Sequence, residues 1–216
     1  MSDTAARFIT VEGIEGVGKS TNIHFICELL QRRGIAFLQT REPGGTGLAE
    51  RIRQLLLDTD DEDIDDLAEL LLIFAARAQH IDQVIMPALR SGKWVICDRF
   101  TDATYAYQGG GRGIASANIT VLEQLVQKDL KPDLTLLLDL APETGLARVA
   151  ARGKPDRFER QQLTFFHAVR KTYLDRAEQE PERWAVIPAD QALADVQKAI
   201  LHALDKLICG TIESDR

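Results

Sequence analysis

Five short runs of apolar residues limit this chain more than anything else: "FITV" (8–11), "AFLQT" (36–40), "WVIC" (94–97), "LTLLLDL" (134–140) and "AVIP" (185–188). Each is nearly continuous rather than alternating, as in strands covered on both faces. Helical periodicity fills the gaps at about 19–33, 48–57, 66–90, 118–129, 142–152, 158–178 and 191–207. Strand alternating with helix implies βαβ units and an open, doubly wound parallel sheet. With 216 residues and no linker-like stretch, the chain reads as one α/β domain spanning 1–216.

The first strand runs into "GIEGVGKS", Gly13 to Ser20. Gly13, Gly18, Lys19 and Ser20 match G-x-x-x-x-G-K-[ST] between a strand and a helix, the context a phosphate cradle needs. The glycines let backbone N–H groups face phosphates, and the helix N-terminus adds partial positive charge. Lys19 is placed to reach the β/γ-phosphates and the Ser20 hydroxyl to ligate Mg²⁺. The loop also holds Glu15, for which a solvent-facing position and a partnership with a lid arginine are both open.

A phosphate cradle alone fits a hydrolysing GTPase or motor, a kinase with a small acceptor, or a nucleotide sensor. No NKxD guanine-reading motif occurs, which weighs against a GTPase. A kinase needs a second anion site and a mobile basic flap that excludes water. "CDRFTDATYAYQGGGRG" (97–113) supplies Asp98, a candidate metal carboxylate, beside Arg99, an anion clamp. Asp139 is a rival metal carboxylate by pattern; the arginine beside Asp98 favours Asp98. "LLLIFAARAQH" (70–80) puts Phe74 and Arg77 on one helix face, an aromatic surface next to a donor. "TREPGGT" (40–46) is a shaped loop at a strand's carboxyl end, where open α/β sheets bind ligands. "GLARVAARGKPDRFE" (145–159) carries Arg148 and Arg152 four apart, then Lys154 and Arg157, with a Gly153–Pro155 break. In isolation it reads as a solvated basic helix end; beside a phosphate cradle it becomes a candidate lid supplying transition-state charge.

The remaining features exclude more than they assert. Net charge is −7, from 26 basic and 33 acidic residues, which argues against bulk nucleic-acid binding. Cys27, Cys97 and Cys209 lack disulfide or zinc spacing, so reduced thiols in a cytoplasm are expected. No signal peptide and no membrane span are visible. "DTDDEDIDD" (58–66) reads as a solvated loop feeding a helix N-terminus. His24 and His80 fall in helical stretches and read as structural, and the tail from Cys209 is expected to fray.

In joint order and spacing, "FITVEGIEGVGKST", "TREPGGT", "FAARAQH", "CDRFTDATYAYQGGGRG" and "DRFE" resemble the bacterial thymidylate kinases, within the P-loop nucleoside monophosphate kinases. The resemblance implies a three-layer P-loop NTPase fold: five parallel strands flanked by helices, with a short basic lid at about 145–159 and an acceptor region at about 41–110. It implies ATP and dTMP as substrates, Mg²⁺ as cofactor and a homodimer. The residues from Gly13 through Ile14, Glu15, Gly16, Val17, Gly18, Lys19 and Ser20 to Thr21 would hold the ATP phosphates, and Ser20 and Asp98 the metal.

On the acceptor side the resemblance implies that Phe74 stacks on thymine and Arg77 bonds its edge. Many relatives carry that aromatic four residues before the arginine, where this chain has Ile73. Thr104 and Gln108 would contact the base, and Tyr107 would crowd the sugar's 2′ position. Arg99 and Arg53 would hold the acceptor phosphate, Glu12 would lie beside it, and Glu42 and Pro43 would shape the loop. No arginine occurs within the phosphate cradle, so the catalytic arginines would come from the lid, Arg148 and Arg152. With Lys19, Arg99 and Glu12 these make up the expected catalytic set.

Overall fold

A computed structural model describes residues 5–57, 64–151 and 156–213. The strands are β1 (Phe8–Glu12), β2 (Phe37–Arg41), β3 (Trp94–Asp98), β4 (Leu134–Asp139) and β5 (Trp184–Pro188), all parallel, in the order β2-β3-β1-β4-β5. Helices α1 (Lys19–Arg32), α2 (Gly47–Leu57), α3 (Asp66–His80), α4 (Met86–Arg90), α5 (Thr101–Thr104), α6 (Ser116–Gln127), α7 (Pro142–Ala150), α8 (Leu163–Gln179) and α9 (Leu193–Glu213) surround the sheet. A π-helical turn, Ile81–Ile85, joins α3 to α4.

The continuous apolar runs have their cause in the two-sided core. Ile9, Val11, Trp94 and Ile96 pack on one face with residues of α1, α8 and α9. Phe8, Val95 and Cys97 pack on the other with Ile81, Ile85 and Ala88. A third cluster joins Leu70 and Phe74 of α3 to Tyr105 and to Ile119 of α6.

One segment departs from the sequence reading. The glycine-rich run after β3 has no helical periodicity, yet α5 continues into a π-helix at Tyr105–Gly111. The glycines let α8 approach closely: a Cβ on Gly110 would lie 2.1 Å from Thr172 Oγ1. Packing therefore overrides glycine's low helix propensity. α9 also runs on to Glu213 instead of fraying from Cys209. Most of the acidic loop (58–63), and Arg152 to Pro155 of the lid, fall outside the described residues.

β1 sits at the sheet centre. The chain leaves it toward β2 at one edge and later crosses from β3 to β4 on its other side. The carboxyl ends of β1, β2 and β3 therefore open onto one crevice beside this switch point. Register places Val11 opposite Asp98 and Arg41 opposite Asp98.

Candidate active site

A cavity of about 550 Å³ occupies that crevice. One end is the loop from Glu15 to Thr21; its far end holds Glu42, Pro43, Arg53, Arg77, Arg99, Thr104, Tyr107 and Gln108; Asp98 lies between. Four segments far apart in sequence thus meet in one chamber. Gly13 and Ile14 stay out of it. Ile14 is core, and both give carbonyl oxygens to Lys19 Nζ, at 3.0 and 3.1 Å. Burial, with the positive charge of Arg99 next, lowers the Lys19 ammonium to about 8.

Glu15 answers to neither sequence reading. It faces the cavity, its side chain 13% exposed, and accepts from Arg99 Nη2 at 2.9 Å and from the Tyr107 hydroxyl at 2.7 Å. The Arg99 guanidinium lies over the Tyr107 ring, 4.7 Å from its centroid. Burial pushes the Tyr107 phenol well up, so it donates rather than ionises.

Glu12 is fully buried behind the cavity wall. It accepts from the Phe100 backbone N–H and the Tyr173 hydroxyl, both at 2.7 Å. Burial, reinforced by Asp102, raises its carboxyl to about 8. Its hydrogen bonds fix the turn at Phe100, next to Arg99, whose backbone is in the left-handed region at φ 67°.

The two candidate metal carboxylates are separated by their partners. Arg170 donates to Asp139 twice, at 2.7 and 2.8 Å. Asp98 lines the cavity, and its Oδ1 is buried without a hydrogen-bond partner. A buried carboxylate oxygen facing a phosphate cradle fits a cation held jointly with phosphate oxygens. Among the described residues no cluster of three or more His, Cys, Asp or Glu could hold a metal alone.

At the far end of the cavity, Arg77 is 2% exposed. Its Nε donates to Glu42 at 2.7 Å, and its Nη2 to Thr104 Oγ1 at 2.9 Å and to the Phe100 carbonyl at 3.2 Å. Nη1 has no partner. Phe74 does not reach the cavity wall. It belongs to the α3–α6 core cluster, with its ring 4.8 Å from the Arg77 guanidinium, while Ile73 lines the cavity in its stead. One residue along a helix is a rotation of about 100°, enough to move the ring behind the wall. Arg53 donates to the Pro43 carbonyl at 3.0 Å, and burial, with Arg41 next, lowers its guanidinium.

The chain matches the family model described as thymidylate kinase over residues 11–200. The chain belongs to the thymidylate kinase family. A thymidylate kinase from Pseudomonas syringae pv. tomato is 58% identical over 209 residues, covering 97% of this chain and 98% of that one. One from Chromohalobacter salexigens is 58% identical over 207 residues, covering 94% and 98%. The crystal structure of the Ehrlichia chaffeensis thymidylate kinase aligns with a TM-score of 0.75 at 36% identity, over 93% of this chain and 99% of that one.

The segment expected to form a basic lid departs most from the sequence reading. Arg148 is exposed, off the cavity wall, and donates to the Gly16 carbonyl at 3.2 Å. Arg152 lies outside the described residues. α7 rests directly on the phosphate loop: a Cβ on Gly16 would lie 2.1 Å from the Gly145 carbonyl oxygen. Beyond α7, Asp156, Phe158 and Glu159 close one side of the cavity. Between them Arg157 donates to the Leu56 carbonyl at 2.8 Å and to Glu69. Glu69, fully buried on α3, also accepts from Gln108 at 2.6 Å and from Arg112 at 3.3 Å. Sequence reasoning passed over Glu69, since an acid among helical leucines carries no mark of partners 39 to 88 residues away.

Proposed function

We propose that this chain transfers the γ-phosphoryl group of ATP to dTMP, giving dTDP and ADP. The observation that carries the reading is the single chamber joining a phosphate cradle to Arg53, Arg77 and Arg99. Donor and acceptor can be held there together, and family membership names the acceptor.

An acceptor phosphate oxygen attacks the γ-phosphorus while the bond to the β-phosphate oxygen breaks and ADP leaves. The acceptor is already anionic, so no general base is needed, and catalysis is positioning plus charge neutralisation. Lys19 and the backbone from Glu15 to Thr21 would hold the donor phosphates. Arg53 and Arg99 would hold the acceptor phosphate, and Glu15 would fix Arg99. The free Nη1 of Arg77 would meet the base edge, with Thr104 and Gln108 beside it. Ile73 would lie against the base, and Tyr107 near the sugar. Arg148 and Arg152 would bring positive charge from the lid.

Ser20 and Asp98 would hold Mg²⁺. When bound, it neutralises charge on the transferring phosphoryl group.

Leu67 and Leu71 of α3 and Val121 and Leu125 of α6 expose an apolar face on two packed helices, which supports a homodimer formed there. Sedimentation velocity on the wild type and on Leu71→Glu tests it. Among the described residues no helix is long and apolar enough to cross a membrane, and we place the enzyme in the cytoplasm.

The activity is tested with ATP, Mg²⁺ and a panel of nucleoside monophosphates, read by ADP release. Turnover highest on dTMP is expected. A higher rate on another monophosphate would reassign the acceptor, and ATP binding without turnover on any of them would remove the enzyme reading.

A further inference from the structure

His80 is fully buried at the carboxyl end of α3. Both ring nitrogens are engaged. Nδ1 lies 2.9 Å from Glu42 Oε1, and Nε2 lies 2.6 Å from Thr40 Oγ1. The acceptor loop is folded down onto the ring: a Cβ on Gly45 would lie 2.6 Å from His80 Nε2 and 2.8 Å from Thr40 Oγ1. A buried polar residue with all its partners is most simply a core residue. What sets His80 apart is the residue it bonds.

Glu42 is clamped at both oxygens. Oε1 accepts from His80 Nδ1 and Oε2 from Arg77 Nε. Arg77 and His80 stand three apart on one face of α3, so a single carboxylate from the loop after β2 bridges them. Fixed at Nε and Nη2, the Arg77 guanidinium retains Nη1 as its one unpartnered donor, and Arg77 is on the cavity wall. Without the His80 donor, Glu42 Oε1 would be left buried and unpaired, a costly state that a carboxylate relieves by turning. Turning Glu42 moves Arg77 Nε and with it the direction of Nη1.

We infer that His80 is a positioning residue for acceptor-base selection, acting through Glu42 on Arg77. This rests on the proposed acceptor being a thymine nucleotide. A guanidinium donor suits the carbonyl oxygen at position 4 of thymine and repels the amine that cytosine carries there.

The test uses His80→Asn, His80→Gln and His80→Leu. Asparagine carries its amide nitrogen at the δ position, as Nδ1 does, and so can still donate to Glu42. Glutamine places its amide at the ε position, where it meets Thr40 and leaves Glu42 without its donor. Steady-state kinetics are read with dTMP, and with 5-methyl-dCMP, which keeps the methyl group and changes only the edge. Melting temperatures are recorded in parallel.

His80→Gln and His80→Leu should raise the KM for dTMP about tenfold, the scale of one lost hydrogen bond to a charged group, with the KM for ATP unchanged. Their preference for dTMP over 5-methyl-dCMP should fall by a similar factor. His80→Asn should stay within about threefold of wild type on both measures. Glutamine serving as well as asparagine would overturn the inference, because glutamine is nearer to histidine in bulk and volume alone would then decide. So would an unchanged preference, or equal losses on ATP and dTMP. If wild type itself fails to phosphorylate dTMP, the proposed function falls and the inference with it, a result distinct from any pattern among the variants.

Discussion

Glu15 of the phosphate loop and Arg99 of the turn after β3 meet at 2.9 Å inside the cavity, joining two of its walls through one ion pair. Glu15→Gln keeps the shape and removes the charge that orients Arg99 and accepts from Tyr107. We expect kcat/KM for dTMP to fall at least about tenfold, the scale of a charged hydrogen bond, while the KM for ATP changes little. Matching changes for both substrates would assign Glu15 to the phosphate loop alone.

Asp98 and Asp139 end β3 and β4, the two strands that flank β1, but of the pair only Asp98 lines the cavity and retains a free buried oxygen. Asp98→Asn should lower kcat on the order of a hundredfold and raise the Mg²⁺ concentration needed for half-maximal rate. Asp139→Asn should leave the Mg²⁺ dependence where it was, since its loss is the pairing with Arg170. Titration of activity against Mg²⁺ for both variants separates them, and chelation should stop wild-type turnover.

Ile73 and Phe74 should divide recognition from stability. Ile73→Ala removes aliphatic surface from the cavity wall and should raise the KM for dTMP several-fold, about 1 kcal/mol for each methylene withdrawn from contact. Phe74→Ala empties a core position and should cost about 3–5 kcal/mol of stability, read by denaturant melts. A larger KM effect from Phe74→Ala than from Ile73→Ala, at equal stability, would return the base contact to Phe74.

Glu12 gives the fold a pH signature. Its carboxyl titrates at about 8 in the folded chain and near 4.5 when exposed. Between those values the folded chain holds a proton that the unfolded chain has released. Glu12 therefore makes stability fall as pH rises through that window, with the loss complete above about 8. Glutamine cannot lose a proton. Melting temperatures across the window should decline more steeply for wild type than for Glu12→Gln; parallel curves would show that Glu12 is ionised throughout.

The strands and the phosphate loop are legible in the sequence because their causes are local. Two-sided burial writes continuous apolar runs, and a loop that wraps phosphate writes its glycines. The offset between Ile73 and Phe74 is visible too, but not its consequence, since both lie near the Arg77 face and only the packing of α6 shows which one is behind the wall. The π-helix at Tyr105–Gly111 is hidden because its glycines serve α8, a segment more than fifty residues away. Glu15, Glu69 and His80 act through partners distant in sequence, and no spacing rule reports them.

Arg157 spans the cavity wall between Asp156 and Phe158 and is moored to Glu69 and to the end of α2. A nucleotide held in the cavity would pass this wall only if those contacts opened. If product leaves past this wall, its residence time depends on how often the Arg157–Glu69 pair opens, and a tighter grip there would slow turnover. The same glutamate accepts from Gln108, itself a cavity residue, so one buried carboxylate ties this wall to the cavity's far end.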